Sequence, residues 1–106
     1  MPKYLLQVTY TAEGAKGLLK EGGSKRRQVA EQAIKSAGGT MEGFYFAFGD
    51  ADAVVIVDAP DHASVTAASL AINASGFVRS RTTVLLTPEE VDQATKKSVT
   101  YRAPGQ

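Results

Sequence analysis

The chain has no cysteine and no tryptophan, a single histidine in 106 residues, and almost no net charge, with 12 Lys plus Arg against 11 Asp plus Glu. The first absence excludes disulfide frameworks, thiolate catalysis, Cys-ligated zinc and iron–sulfur clusters together. One histidine, His62, cannot build a multi-histidine metal site within a subunit. Only carboxylates remain as conventional ligands, which suit hard, oxygen-bound ions, and no metal or cofactor is expected. A net charge of +1 gives no basic excess for a nucleic-acid partner. Long hydrophobic runs are missing as well. The longest, Ala53–Val57, is far below the ~20 residues of a bilayer span, and the N-terminal Met-Pro-Lys-Tyr-Leu-Leu-Gln is too short in its apolar part for a signal peptide. The expectation is a cytoplasmic protein without a membrane partner, in which the sequon Asn73-Ala74-Ser75 is a chance match.

What is present is 43% hydrophobic residues in one-domain length, arranged in clear periods. Lys3 to Tyr10 alternates, with Tyr4, Leu6, Val8 and Tyr10 on one face and Leu5, Gln7 and Thr9 on the other. A helical pattern from Thr11 through Leu19 is interrupted at Gly22-Gly23, where two interior glycines would each cost about 1 kcal/mol relative to Ala. Ser24 is placed to cap the second piece, whose apolar stripe is Val29, Ala30, Ala33, Ile34 and Ala37 and which ends at Gly38-Gly39. Thr40–Phe48 and Asp52–Asp58 form a hairpin around Gly49-Asp50-Ala51. Its first strand puts Phe44, Phe46 and Phe48 on one face and Met41, Tyr45 and Ala47 on the other. A helix opens at Pro60-Asp61 and closes at Gly76, and a fourth strand covers Phe77 to Leu86. Thr87-Pro88-Glu89-Glu90 is a capping box that starts a short helix to about Lys97.

The order β-α-β-β-α-β with a C-terminal helix predicts an α+β, ferredoxin-like fold: a four-stranded antiparallel sheet with both helices on one face. Residues 1–97 form one domain in this reading, and 98–106 an irregular or adherent tail. A lone domain of this kind should be polar on its uncovered sheet face, yet the central hairpin is apolar on both faces. That pattern predicts a homo-oligomer, most simply a two-fold dimer closed by the open sheet faces. The sixteen positions between His62 and Arg79 hold no charge. Such a helix either packs closely through its small residues or also bounds a cavity or a partner.

The run from Phe44 to Asp61, together with Arg81-Thr82-Thr83-Val84-Leu85-Leu86-Thr87-Pro88-Glu89-Glu90, resembles the GYD domain family over nearly the whole chain. The Gly-x-Tyr-Asp turn that names the family is matched at Gly49 and Asp52, while Ala51 stands at the tyrosine position. The resemblance implies a small ferredoxin-like domain related to the dimeric α+β barrels, as a dimer or larger oligomer, and little specific chemistry.

Four residues are candidates for ligand binding. Arg79 and Arg81 share one face of the fourth strand about 7 Å apart, a spacing suited to a carboxylate or phosphate; the alternatives are intersubunit ion pairs or a charged strand edge. Tyr45 sits at the rim of the aromatic surface, where a phenol can edge an apolar pocket. Asp52 pairs with Asp50 in the hairpin turn, where the more ordinary reading is structural, since Gly and Asp are preferred turn residues. His62 is the one catalytic candidate, being the only side chain that ordinarily titrates near neutrality, although a first-turn helix position beside Asp61 is unremarkable for a polar residue. Lys20, Lys25, Arg26 and Arg27 surround Gly22-Gly23 without a Walker spacing and read as a solvated helix start. Three functions stay open: a module binding a small organic ligand between sheet and helices or between subunits, a cofactor-free enzyme acting on a small aromatic or carbonyl compound, and a purely structural assembly component.

Overall fold

A computed structural model describes all 106 residues. In chain order the elements are β1 (Lys3–Tyr10), α1 (Ala12–Glu21), α2 (Gly23–Ser36), β2 (Thr40–Phe46), β3 (Ala53–Asp58), α3 (His62–Ala74), β4 (Val78–Leu85) and α4 (Pro88–Thr95). The strands form one antiparallel sheet in the order β2-β3-β1-β4, with the first and third strands in the middle. This is the expected α+β, ferredoxin-like arrangement. No helix is long and apolar enough to cross a membrane.

Register explains which residues become core. Tyr4 lies opposite Val57 and Leu6 opposite Val55, and these four point to the helices with Ile34 of α2 and Val65 of α3. Leu6 is 2% exposed and Val57 1%. The next residues along each strand, Leu5 opposite Ile56 and Gln7 opposite Val54, face the side without helices. None of them is fully buried.

The β2 pattern differs from strict alternation. A bulge between Met41 and Gly43 inserts one residue, so Met41 pairs with Val57 and turns to the helix side, where it is buried, instead of sharing the Tyr45 face. The strand also ends at Phe46. Phe48 takes a left-handed backbone (φ 56°) in the turn and lies 71% exposed, stacked 6.0 Å from Phe46.

Capping residues set the helix starts. Thr11 accepts from the Gly14 N–H, Asp61 from the Ser64 N–H, and Thr87 forms the full reciprocal box with Glu90. At α2 the cap residue is Gly22 (φ 85°) and no side chain caps the helix, so Ser24 lies inside the first turn and is not its cap. Gly22 suits the break because the chain passes between two nearly contiguous helices through a single residue of positive φ. The polar breaks in α3 dock it on β4: Ser69 bonds Thr82 and the Asn73 side-chain Oδ1 accepts from the Ser80 N–H at 2.8 Å.

The C-terminal segment does not adhere. Every residue from Pro88 to Gln106 is exposed, and α4 makes no substantial contact with another element. The radius of gyration, 16.9 Å, exceeds the ~13 Å of a compact domain this long, and the longest dimension is 56 Å. The body is therefore small and the arm projects from it.

Candidate functional site

A cleft of about 350 Å³ opens between the three helices and the β1–β4 end of the sheet. Small residues create it. Gly14 is pressed so close to the β4 approach that a Cβ there would lie 1.9 Å from the Phe77 carbonyl oxygen, while Gly17, one turn on, meets nothing within 4 Å and leaves a gap. Thr11 holds this junction by donating its backbone N–H and its hydroxyl to Phe77 at 3.0 Å each. Leu18, Val29, Ile72 and Phe77 supply apolar walls, and α3 thus bounds a cavity as well as packing on β4. Behind the mouth a second, apolar chamber of about 80 Å³ reaches Leu6, Val8, Phe44 and Val55, left unfilled because α2 offers Ala30 and Ala33 there. Both spaces share Tyr10, Arg26, Val29, Ile72 and Val78.

Tyr10 and Arg26 give the cleft its chemistry. Burial pushes the Tyr10 phenol above its ordinary value; the Arg26 guanidinium opposes that shift and the Asp52 carboxylate adds to it. The phenol therefore stays protonated at neutral pH and can donate a hydrogen bond. Arg26 is half-buried and makes no ion pair; its side-chain partner is the neutral Tyr10 phenol, so its charge is uncompensated within the chain. Glu21 lines the mouth without reaching it. A partly desolvated guanidinium with no carboxylate against it, beside an apolar chamber, is a strong place for an anion. The basic residues around Gly22-Gly23 read together as a solvated helix start, but the signal that separates Arg26 is in the sequence: it stands three and four residues before Val29 and Ala30 on the apolar stripe of α2, whereas Lys25 and Arg27 fall off that stripe and are exposed.

The four residues singled out from sequence do not share one site. Arg79 and Arg81 are exposed on the open sheet face at the β4 edge, over a shallow surface with Gln7 and Thr9. Tyr45 lies on the same face and in the same row as Arg81, Gln7 and Val54. Three strand spacings, about 14 Å, separate it from Arg81. The Asp52 carboxylate accepts from the Tyr10 N–H at 2.9 Å, taking the place of a β3 carbonyl where that strand has ended. Ala51, at the tyrosine position of the motif, is 5% exposed and packed inside the turn.

His62 is occupied structurally. Its Nδ1 is 2.6 Å from the hydroxyl of Tyr4, and the rings meet edge to face at 5.6 Å. Tyr4 is 1% exposed, so the histidine satisfies a hydroxyl that would otherwise be buried without a partner. Six residues of β1, about 20 Å, separate this pair from Tyr10 and the cleft.

No curated protein and no solved structure gives a significant match to the chain. The sequence model of the GYD domain matches residues 4–95, from the first core tyrosine of β1 to the last residue of α4, and by that span the chain belongs to the GYD domain family.

Proposed function

We propose that this GYD domain is a homo-oligomeric module that binds a small organic anion between its sheet and its helices, with an apolar body in the inner chamber and its charged group at Arg26 and Tyr10. The observation that carries the reading is Arg26, half-buried and without an ion-pair partner at the mouth of an apolar space. The cleft volume sits near the lower end for ligand sites, which suits a single-ring or short-chain carboxylate. Binding is favoured over turnover because His62, the candidate for proton transfer, is bonded to Tyr4 at the far end of β1. The oligomer rests on the open sheet face, where Leu5, Val54, Ile56 and Tyr45 lie together without a covering layer.

Calorimetric titration with benzoate and hexanoate beside their neutral alcohols tests the site. The expected result is carboxylate binding at least about tenfold tighter than the alcohol, with Arg26→Gln abolishing the preference while thermal stability stays within about 0.5 kcal/mol. Equal affinity for acid and alcohol, or a preference that survives Arg26→Gln, would remove the anion site.

A further inference from the structure

We propose that the C-terminal arm, residues 86–106, is an exchange element that docks on the open sheet face of a second copy of this chain, setting Glu89 and Asp92 of α4 against the Arg79–Arg81 pair of that copy. The proposal rests on the oligomer reading above and adds the element that completes it. The arm leaves the body with Leu86 63% exposed, Val91 46%, Val99 79% and Tyr101 76%, more apolar surface than a free surface helix and tail ordinarily present.

Charge selects the place of docking. Arg79 and Arg81 make no ion pair in their own chain, and neither do Glu89 and Asp92. The two acidic residues are spaced i,i+3 and so lie on one side of α4, with Val91 and Ala94 spaced likewise on another. Two carboxylates about 5–6 Å apart on a helix face two guanidiniums about 7 Å apart on a strand.

Direction favours the second copy over the arm's own sheet. Arg81 lies four residues, about 14 Å, back along β4 from Leu85. Only Leu86 and Thr87 connect that strand to α4, and Thr87 is extended (ψ 158°) and fixed by the capping box with Pro88 behind it. Reaching its own arginines would require the arm to reverse within this connector. A two-fold axis perpendicular to β4 runs the partner's strand antiparallel, which brings the partner's Arg79 end beside the point where the arm leaves.

The test is a charge exchange read by analytical ultracentrifugation. Arg79→Glu with Arg81→Glu reverses the sheet site, and Glu89→Arg with Asp92→Arg reverses the arm; all four positions are exposed, and circular dichroism checks that each variant folds. Each variant alone is expected to self-associate about 100-fold more weakly than the parent. An equimolar mixture of the two restores dimers, because each arm then finds an opposite charge on the other chain. If the chain carrying all four changes dimerises but the mixture does not, the arm folds on its own sheet and the proposal fails. A parent dimer that survives both reversals and removal of residues 87–106 also overturns it while leaving the oligomer reading intact. A parent that is monomeric at every concentration removes both.

Discussion

Leu5 and Leu6 are adjacent, chemically identical and on opposite faces of one strand. Leu6 lies among Tyr4, Val55, Val57 and Ile34 under the helices and is 2% exposed, whereas Leu5 pairs with Ile56 on a face that no element of the chain covers. The difference shows what alternation can and cannot decide: it sorts residues between two faces, and the helix connections choose which face becomes the core. The helix side holds the core cluster, but it also contains the cleft at Arg26; the open side has no layer over it and only a shallow hollow at the β4 edge.

The sharpest way to break this contrast is to truncate both leucines. Leu6→Ala removes buried methyl groups from a packed site and is expected to cost about 3 kcal/mol. Leu5→Ala is expected to cost below about 1 kcal/mol in dilute protein, where chains are apart, and more at high concentration, where a partner covers the face. Urea unfolding of both variants across a concentration series measures this. Equal, concentration-independent losses would mean that the open face is already buried within the chain.

A smaller effect is expected at a buried hydroxyl on the covered side. The Tyr4 hydroxyl has His62 as its partner, so His62→Ala leaves a buried donor unsatisfied and should cost about 1–3 kcal/mol. Adding Tyr4→Phe removes the orphaned hydroxyl and should recover part of that loss. Unfolding free energies of the single and double variants decide it: a double variant no more stable than His62→Ala would show that the histidine stabilises through its ring contact and not through the hydrogen bond.

The elements themselves were legible in the sequence because their signals are local. Asp61, Thr87 and Glu90 occupy cap positions, and Lys3–Tyr10 keeps a strict period of two. Departures came where one residue changes a frame. The bulge after Met41 moves that side chain to the core with no glycine or proline at the shift's first residue to mark it, and Gly22 displaces Ser24 from the cap. The cleft was the least legible feature, since it depends on absent atoms at Gly17, Ala30 and Ala33 from two helices facing Tyr10 on a strand. Composition shows small residues but not where they converge. The Arg79–Arg81 pair was legible as a charged strand face, and its distance from Tyr45 was not, because pairing order across the sheet is set by the fold.

The smallest expected effect lies at the end of the open face, where Lys3 of β1 bonds both Glu42 and Asp58, the latter at 3.0 Å. The ion pair with Lys3 holds the Asp58 carboxyl below its ordinary value of 3.8, burial opposing, and the bond to Glu42, then that to Asp58, holds the Lys3 ammonium above 10.5. A depressed carboxylate stabilises the fold above its unfolded pKa, and that contribution disappears as pH falls through the lower folded value. A raised ammonium stabilises below its unfolded pKa, and loses that contribution as pH rises through the higher folded value. The network should therefore add a flat increment from about pH 4 to about pH 10, declining on either side. Lys3→Met is expected to lower the urea midpoint slightly at neutral pH, with the difference from the parent shrinking below about pH 4 and in about 1 M salt, because Lys3 is partly exposed and screened. A difference that stays constant through the acid range would assign the loss to the apolar stem of Lys3 lying along the sheet, and would make this corner of the open face depend on packing as the helix side does.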